Sequence, residues 1–231
     1  MKKIFYIAFC VLSAIAFGSC QNITTDGVTG ITYYPVITLE GDSQIIVQKG
    51  TQYNEPGYSA VLNGEDVTAS VEVITNLNTS KSGAYSVTYK CVNADGFSTT
   101  ASRKVIVLDL KDAVEGFYLT SADSYRDREG TITKYGSSYE ILVTNNDDGT
   151  YSCDDLLGGY YCQRAGYGAD YALAGIFSLD GSGNVTHISS SIPGWGDSAD
   201  GITGTFNAET STFDICTVYG GMKFYVTMTK E

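Results

Sequence analysis

The sequence is poor in proline, histidine, tryptophan and basic side chains. Its 231 residues include 3 prolines, one histidine and one tryptophan, and 14 Lys and Arg stand against 26 Asp and Glu. The formal net charge of −12 argues against nucleic-acid binding, because neutralising phosphates requires clustered Lys and Arg, and the chain has no such cluster. The lone histidine, His187, leaves one candidate base for a Ser or Cys nucleophile, and no nucleophile-elbow, zinc-protease or phosphate-loop motif occurs. These absences predict no catalytic site, no metal ion and no cofactor.

Tyrosine and glycine are abundant, at 18 and 26 residues. Together with many Thr, Ser and Val they favour pleated strands joined by tight turns, rather than helices. Hydrophobic residues make up 43% of the chain, which is typical of globular proteins. The composition therefore predicts an all-β protein, and the length allows two domains.

The first twenty residues have the form of an export signal. Lys2 and Lys3 precede an apolar stretch, which ends at Gly18-Ser19-Cys20. The run 17–20, Phe-Gly-Ser-Cys, resembles a bacterial lipobox, which implies that residues 1–19 are removed and that Cys20 is lipidated. Residues 20–32 would then form a polar tether, and the lipid would be the only membrane attachment. The alternative is ordinary secretion with an unlipidated Cys20.

Residues 33–111 contain short alternating runs separated by turns, a pattern typical of a β-sandwich. Tyr85, Val87 and Tyr89 are predicted to share one face of a strand. The segments 50–60, 83–89 and 103–109 resemble the bacterial Ig-like surface domain. This resemblance implies an Ig-like β-sandwich that acts as a spacer.

Residues 112–231 carry most of the negative charge, with 6 basic and 17 acidic side chains. Their strand-like runs are separated by Gly- and Asn-rich turns, which predicts an antiparallel meander that closes into a small barrel or a strongly curled sheet. The segments 116–118, 194–196 and 224–230 are similar to the lipocalin-like C-terminal domain found behind one Ig-like module in Bacteroidetes surface lipoproteins.

This second resemblance implies an accessory role beside a starch-utilisation-like (SusCD-like) nutrient importer. The protein would be lipid-anchored in the outer membrane, facing the cell exterior, with the importer and its companion lipoproteins as partners.

The candidate ligand site lies in the glycine-rich segments of the second domain. Aromatic faces can stack on sugars or on peptide side chains, while nearby carboxylates and Arg bond hydroxyls or amides. The leading hypothesis is a non-enzymatic protein that captures or presents a glycan or peptide. The alternatives are a structural docking subunit without its own ligand and, less favoured, a surface hydrolase that uses paired carboxylates. The candidate residues are Trp195, Tyr160, Tyr161, Tyr167, Tyr171, Arg164, Asp154, Asp155 and Asp197.

Cys153 and Cys162 lie nine residues apart in an exported domain, so they are candidates for a disulfide that pins the loop between them. Pairing with Cys216 and free buried thiols are the open alternatives.

Overall fold

The computed structural model describes residues 31–231, which are built almost entirely of strands. The predicted signal peptide, the predicted lipidation site Cys20 and the predicted tether up to residue 30 lie outside the described residues. Within residues 31–231, no helix combines the length and apolar character needed to cross a membrane. The N-terminal strands are β1 Val36–Leu39, β2 Gln44–Gln48, β3 Tyr58–Leu62, β4 Glu65–Asp66, β5 Glu72–Thr75, β6 Gly83–Val92 and β7 Ser98–Leu108, with a 3-10 turn at Thr68–Ser70.

The remaining strands form a second domain, which also contains a π turn at Tyr160–Arg164 and a 3-10 turn at Ala169–Tyr171. The strands of the second domain are β8 Gly116–Thr120, β9 Tyr125–Arg128, β10 Thr131–Lys134, β11 Glu140–Asn145, β12 Thr150–Cys153, β13 Ala174–Leu179, β14 Val185–Ser191, β15 Gly201–Asn207, β16 Thr212–Tyr219 and β17 Met222–Lys230. The all-β prediction is therefore confirmed.

The first domain is an Ig-like sandwich of two sheets. One sheet has the order β1-β3-β4 and the other β2-β7-β6-β5, in which β2 and β7 run parallel. The alternation predicted for β6 is observed, since Val87 and Tyr89 are buried in the core and Tyr85 packs against it. Side chains from β1 and β3 pack on the same core and so join the two sheets.

Arg103 is the one basic side chain of the described residues that has no exposed surface. Its Nη2 donates to the carbonyls of Glu40 at 2.7 Å and Gly57 at 3.2 Å, and its Nη1 donates to the carbonyl of Asp42. The same guanidinium pairs with Glu55 at 3.1 Å. A buried charge is tolerated only when it is paired and hydrogen-bonded, so this network fixes the segment from residue 40 to residue 57 against β7.

The second domain is one strongly curled sheet. Its strand order is β10-β9-β17-β8-β11-β12-β13-β14, while β16 pairs with β17 and β15 pairs with β16. Strands β14 and β15 are not paired along their lengths; an isolated bridge between Asn184, just before β14, and Thr205 on β15 joins these two edges of the half-barrel. The curled sheet encloses a core whose fully buried members include Tyr118, Phe177, Phe213 and Phe224.

The two domains share a packed joint. Ile106 and Leu108 at the end of β7 pack against Phe117 and Leu142 on the outer face of the half-barrel. Polar contacts surround this apolar cluster: Gln48 donates to Asp109 at 3.2 Å, and Lys49 forms an ion pair with Asp147. The shared cluster means that the domains are held together by buried side chains as well as by the connecting chain.

Glu115 is buried in this joint, with 1% of its surface exposed. Neither carboxylate oxygen has a hydrogen-bond partner, and the neighbouring Ser82 hydroxyl is also unpaired. Burial is the main cause that raises the pKa of Glu115, and the nearby carboxylate of Asp112 raises it further. A carboxylate in such a place stabilises the fold less when it is charged.

The substitution Glu115→Gln should therefore stabilise the protein at neutral pH. The folded-state pKa of Glu115 lies above its unfolded value, so the wild type loses stability as the pH rises through the interval between the two values. The glutamine variant lacks this loss, and the two proteins should converge below pH 4.5, where the carboxyl is protonated in both states. Thermal unfolding followed from pH 4 to pH 8 measures the difference. A gain that does not change with pH would contradict the titration of Glu115 as its cause.

Candidate functional site

Four aromatic side chains meet at one end of the half-barrel. We call this cluster, Tyr161, Tyr167, Tyr171 and Trp195, the aromatic patch. The Trp195 ring centre lies 4.8 Å from that of Tyr161, 4.9 Å from Tyr171 and 6.2 Å from Tyr167, all at steep interplanar angles. Such edge-to-face contacts are favourable for aromatic rings. Trp195 is 43% exposed and Tyr167 56% exposed, so the cluster presents aromatic surface to solvent.

The aromatic patch and the joint lie at opposite ends of β17. This strand begins at Met222, whose sulfur lies 3.9 Å from the Tyr161 hydroxyl. It ends at Lys230, whose ammonium donates to the backbone carbonyl of Asp112 in the joint at 2.8 Å. The patch is therefore the part of the half-barrel that points away from the Ig-like domain.

Buried aromatic side chains support the patch from below. The Tyr219 ring stacks on Trp195 with centres 6.0 Å apart, and it is only 6% exposed. Phe224 and Tyr160 contact Tyr161 at 5.8 Å and 5.0 Å. Rings held between core side chains and one another lose little further freedom when a ligand binds, so the surface is preorganised.

The buried carboxylate of Asp155 organises the loop that carries three of the four patch residues. It accepts hydrogen bonds from the backbone N–H groups of Leu157 at 2.9 Å, Gly159 at 3.0 Å and Leu173 at 3.1 Å. The Cys162 thiol adds a fourth bond at 3.2 Å. Burial raises the pKa of Asp155, and these four bonds oppose that rise. One side chain thus ties the two ends of the loop together.

Two glycines allow the loop to turn tightly against the core. Gly158 and Gly159 have φ values of 60° and 83°, and a Cβ on either would come within 2.6 Å of Val226 or Tyr139. Residues other than glycine rarely adopt such positive φ values. The π turn that follows directs the side chain of Tyr160 into the core.

The turn that carries Trp195 is closed by backbone hydrogen bonds. The N–H of Ile192 donates to the carbonyl of Asp197 at 2.8 Å. Gly194 packs directly under the Tyr171 ring, because a Cβ at this position would lie 2.7 Å from that ring. The absence of a side chain at residue 194 therefore lets Tyr171 reach Trp195.

The structure brings together four of the predicted residues, since Trp195, Tyr161, Tyr167 and Tyr171 form the aromatic patch. Arg164 is exposed but lies beside the patch, with its guanidinium carbon 5.0 Å from the Tyr160 ring centre.

Two residues that were predicted to contact a ligand, Tyr160 and Asp155, are buried, which corrects the prediction. A third, Asp154, lies outside the aromatic patch. Tyr160 is 4% exposed and Asp155 2% exposed, so neither side chain can touch a ligand at the surface. Tyr160 is buried because successive side chains of the π turn point in different directions, and Asp155 because the loop folds around it. Asp154 is exposed, and its carboxylate accepts the N–H of Leu142 at 2.9 Å on the neighbouring strand β11.

The predicted disulfide is not formed. Cys153 and Cys162 are both free thiols, as are the other cysteines among the described residues, Cys91 and Cys216. Cys153 belongs to the hydrophobic core, whereas the Cys162 thiol is bonded to Asp155. Burial raises the pKa of Cys153 well above the usual range and that of Cys162 to about 12, so both favour the unreactive thiol form.

Sequence reasoning missed two residues near the patch. Arg126 on β9 places its guanidinium carbon 5.1 Å from the Tyr160 ring centre, and Tyr219 ends β16 beneath Trp195. Both come from strands far from the loop in sequence. The alternation along β16 does indicate that Tyr219 faces inward, because Phe213, Ile215 and Tyr219 share the buried side.

Comparison with known proteins agrees with the two-domain structure. The bacterial surface protein Ig-like domain model matches residues 37–107, and a C-terminal domain model matches residues 107–230. The crystal structure of the lipoprotein BT2262 from Bacteroides thetaiotaomicron is 35% identical, covering 85% of this chain and 100% of that chain with a TM-score of 0.74. The chain belongs to this family of bacterial surface lipoproteins.

Outside the family the likenesses are weak. Two structures from Clostridium perfringens ZmpB, one of its M60 catalytic domain with two CBM51 domains and one of CBM51-2 with GlcNAc and INT domains, are 14% and 12% identical. They cover 87% and 84% of this chain and 21% and 43% of their own, with TM-scores of 0.29 and 0.28, which are too low to support an argument. No curated protein matches the chain.

Proposed function

We propose that the protein is a non-enzymatic surface lipoprotein, anchored at Cys20 in the outer membrane, that captures a glycan on its aromatic patch. Presentation of that glycan to a SusCD-like importer is part of the proposal. The observation that carries it is the exposure of Trp195, which keeps 43% of its surface open while its edges are fixed by Tyr161 and Tyr171.

The chemistry of the patch suits a sugar. The face of an aromatic ring is electron-rich, and the C–H groups on one side of a pyranose carry partial positive charge, so the two stack favourably. A single exposed Trp side chain is common on protein surfaces. Four aromatic rings in contact with one another at a loop surface form a contiguous apolar patch, and such patches often mark binding sites. The Tyr hydroxyls at the rim add hydrogen-bonding groups for sugar hydroxyls.

The buried aspartate of the loop and the one histidine of the chain are both placed away from the aromatic patch. Asp155, the most deeply buried carboxylate in the loop, is committed to three backbone N–H groups and a thiol. His187 lies on β14 opposite Phe177, within a strand pair. Acid–base chemistry needs groups that face a substrate, and neither of these two residues belongs to the patch.

The position of the patch supports a role in capture. It lies at the end of the half-barrel opposite the joint, while the tether joins the other end of the molecule, where Asn93 donates to the backbone carbonyl of Tyr33 at 2.8 Å. With the lipid at Cys20, this order directs the patch away from the membrane and towards material outside the cell.

The substitution Trp195→Ala should abolish most of the glycan binding. Each ring stacked on a ligand contributes on the order of 1–2 kcal/mol, and loss of the central ring also loosens its neighbours, so we expect at least a 10-fold fall in affinity. A glycan and peptide array followed by calorimetry on the strongest binder provides the measurement.

Tyr34→Ala is the matched control, because Tyr34 is an exposed aromatic residue of the Ig-like domain, 56% exposed and remote from the patch. Equal binding by the wild type and the Trp195 variant would reject capture at the patch and leave importer docking as the function. Selection of peptides alone by the array would reject a glycan ligand.

A further inference from the structure

Two arginines flank the same buried ring beside the aromatic patch. The guanidinium carbon of Arg126 lies 5.1 Å from the Tyr160 ring centre and that of Arg164 lies 5.0 Å from it. Tyr160 in turn contacts Tyr161, which belongs to the patch, at 5.0 Å. Two of the six basic residues of a strongly acidic domain are therefore gathered next to its exposed aromatic surface.

Neither arginine is neutralised by the protein. The ion pairs among residues 31–231 are Lys49 with Asp147, Arg103 with Glu55 and Lys134 with Asp123. Arg126 and Arg164 take part in none of them, although 17 carboxylate side chains are available in the same domain.

Each guanidinium also keeps unused hydrogen-bonding capacity. Arg164 Nε donates to the backbone carbonyl of Tyr135 at 3.1 Å, which holds the side chain in place and leaves its terminal nitrogens free. Arg126 Nη2 donates weakly to Thr133 at 3.3 Å, while its buried Nε has no partner. Arg164 is exposed, so its free nitrogens face solvent.

The charges are divided across the patch. The arginines lie on the side of Tyr160, whereas Asp197 and Asp200 lie near Tyr219. Burial is the main cause of the raised pKa of Tyr219, and the charges of these two aspartates raise it further. A ligand with an anionic group at one end would be oriented by this division, with the anion towards Arg164 and a neutral ring on Trp195.

We infer that the ligand is an acidic saccharide, whose carboxylate pairs with Arg164, near the second positive charge of Arg126, while an adjacent sugar ring stacks on Trp195. This inference rests on the proposed function and names its ligand class. A planar guanidinium matches a carboxylate with two parallel hydrogen bonds, which makes arginine the suitable residue for a uronic acid.

The overall acidity of the domain does not oppose this assignment. At physiological ionic strength charges more than about 8 Å away are largely screened, whereas a guanidinium group in direct contact with a carboxylate is not. Distant aspartates should slow the approach of an anionic polymer more than they weaken the bound state.

The test compares trigalacturonate with the neutral trigalactoside of the same linkage by calorimetry. The wild type should bind the acidic trimer at least 10-fold more tightly, and Arg164→Gln should remove that preference while leaving binding of the neutral trimer unchanged. Arg128→Gln is the control, because Arg128 is exposed on β9 and its loss changes the net charge equally. The preference should also shrink as the salt concentration rises.

The outcomes separate the two proposals. Neutral and acidic trimers bound equally, with loss of both in Trp195→Ala, would overturn the acidic ligand and support glycan capture. Equal effects of the Arg164 and Arg128 substitutions would overturn the assignment of the carboxylate to Arg164. Acidic-trimer binding that depends on Arg164 and is unchanged in Trp195→Ala would support the carboxylate site and overturn the stacked ring. Binding of neither trimer by the wild type would overturn the acidic-saccharide assignment.

Discussion

Replacing Asp155 by alanine should lower the free energy of unfolding of the half-barrel by about 3–5 kcal/mol. The substitution leaves the buried N–H groups of Leu157, Gly159 and Leu173 without their acceptor, and each such loss costs about 1–3 kcal/mol. Chemical denaturation measures the effect, and Trp195, the one tryptophan of the chain, reports on this domain.

The same substitution should also weaken ligand binding, although Asp155 touches no ligand. Loss of the carboxylate frees both ends of the loop, so Tyr161 and Tyr167 are no longer held against Trp195 before binding. Asp154→Ala is the matched control, because Asp154 is exposed and accepts one backbone N–H, that of Leu142. Equal loss of stability in the two variants would refute the role given to Asp155.

Replacing Arg103 by methionine should lower the stability of the Ig-like sandwich by about 3–5 kcal/mol, because removing one partner leaves the other groups of a buried network unpaired. Three backbone carbonyls, of Glu40, Asp42 and Gly57, lose their donor, and Glu55 loses its counter-charge. Differential scanning calorimetry can detect the loss in a domain that lacks tryptophan.

Two further variants isolate the cause. Lys104→Met removes a positive charge from the next, exposed residue of the same strand and should have little effect. Glu55→Gln combined with Arg103→Met should destabilise by less than the sum of the single changes, because the unpaired carboxylate is then absent. Strict additivity would show that Glu55 and Arg103 do not depend on each other, in disagreement with their 3.1 Å contact.

The sequence was sufficient to predict a strand-built chain and the buried face of β6, while strands such as β9 and β10 were not foreseen. Alternation in β6 correctly placed Val87 and Tyr89 in the core, because the two-residue period of a strand is a local property. The closing of the sheet was foreseen only in outline. That β17 also pairs with β8 and β9 depends on contacts between residues some 100 positions apart, which a single sequence does not record.

The site was predicted by composition rather than by geometry. Aromatic residues in glycine-rich loops indicated a candidate cluster that includes Trp195, Tyr161 and Tyr167, and these three rings do contact one another. The adjacent Tyr160 has the same residue type and the same flanking glycines, yet the π turn buries it. Asp155 differs from Asp154 by one position, yet Asp155 is enclosed by its own loop whereas Asp154 is directed to the neighbouring strand β11. Loop side chains follow no fixed period, so neither distinction is available from the pattern.

In a molecule anchored at Cys20 as proposed, the end-to-end order of the two domains determines the height of the aromatic patch above the membrane. Strand β7 has 11 residues and leads from the tether end to the joint, and β17 has 9 residues between the joint and the patch. At about 3.3 Å per residue these strands measure roughly 36 and 30 Å. Because strands are tilted, their combined length along the long axis of the molecule is about 50 Å. On an anchored molecule, the patch would meet a long polymer at this height while the polymer is still clear of the bilayer surface. The buried joint between the domains would let a pull on the captured chain be transmitted through the Ig-like domain to the anchor.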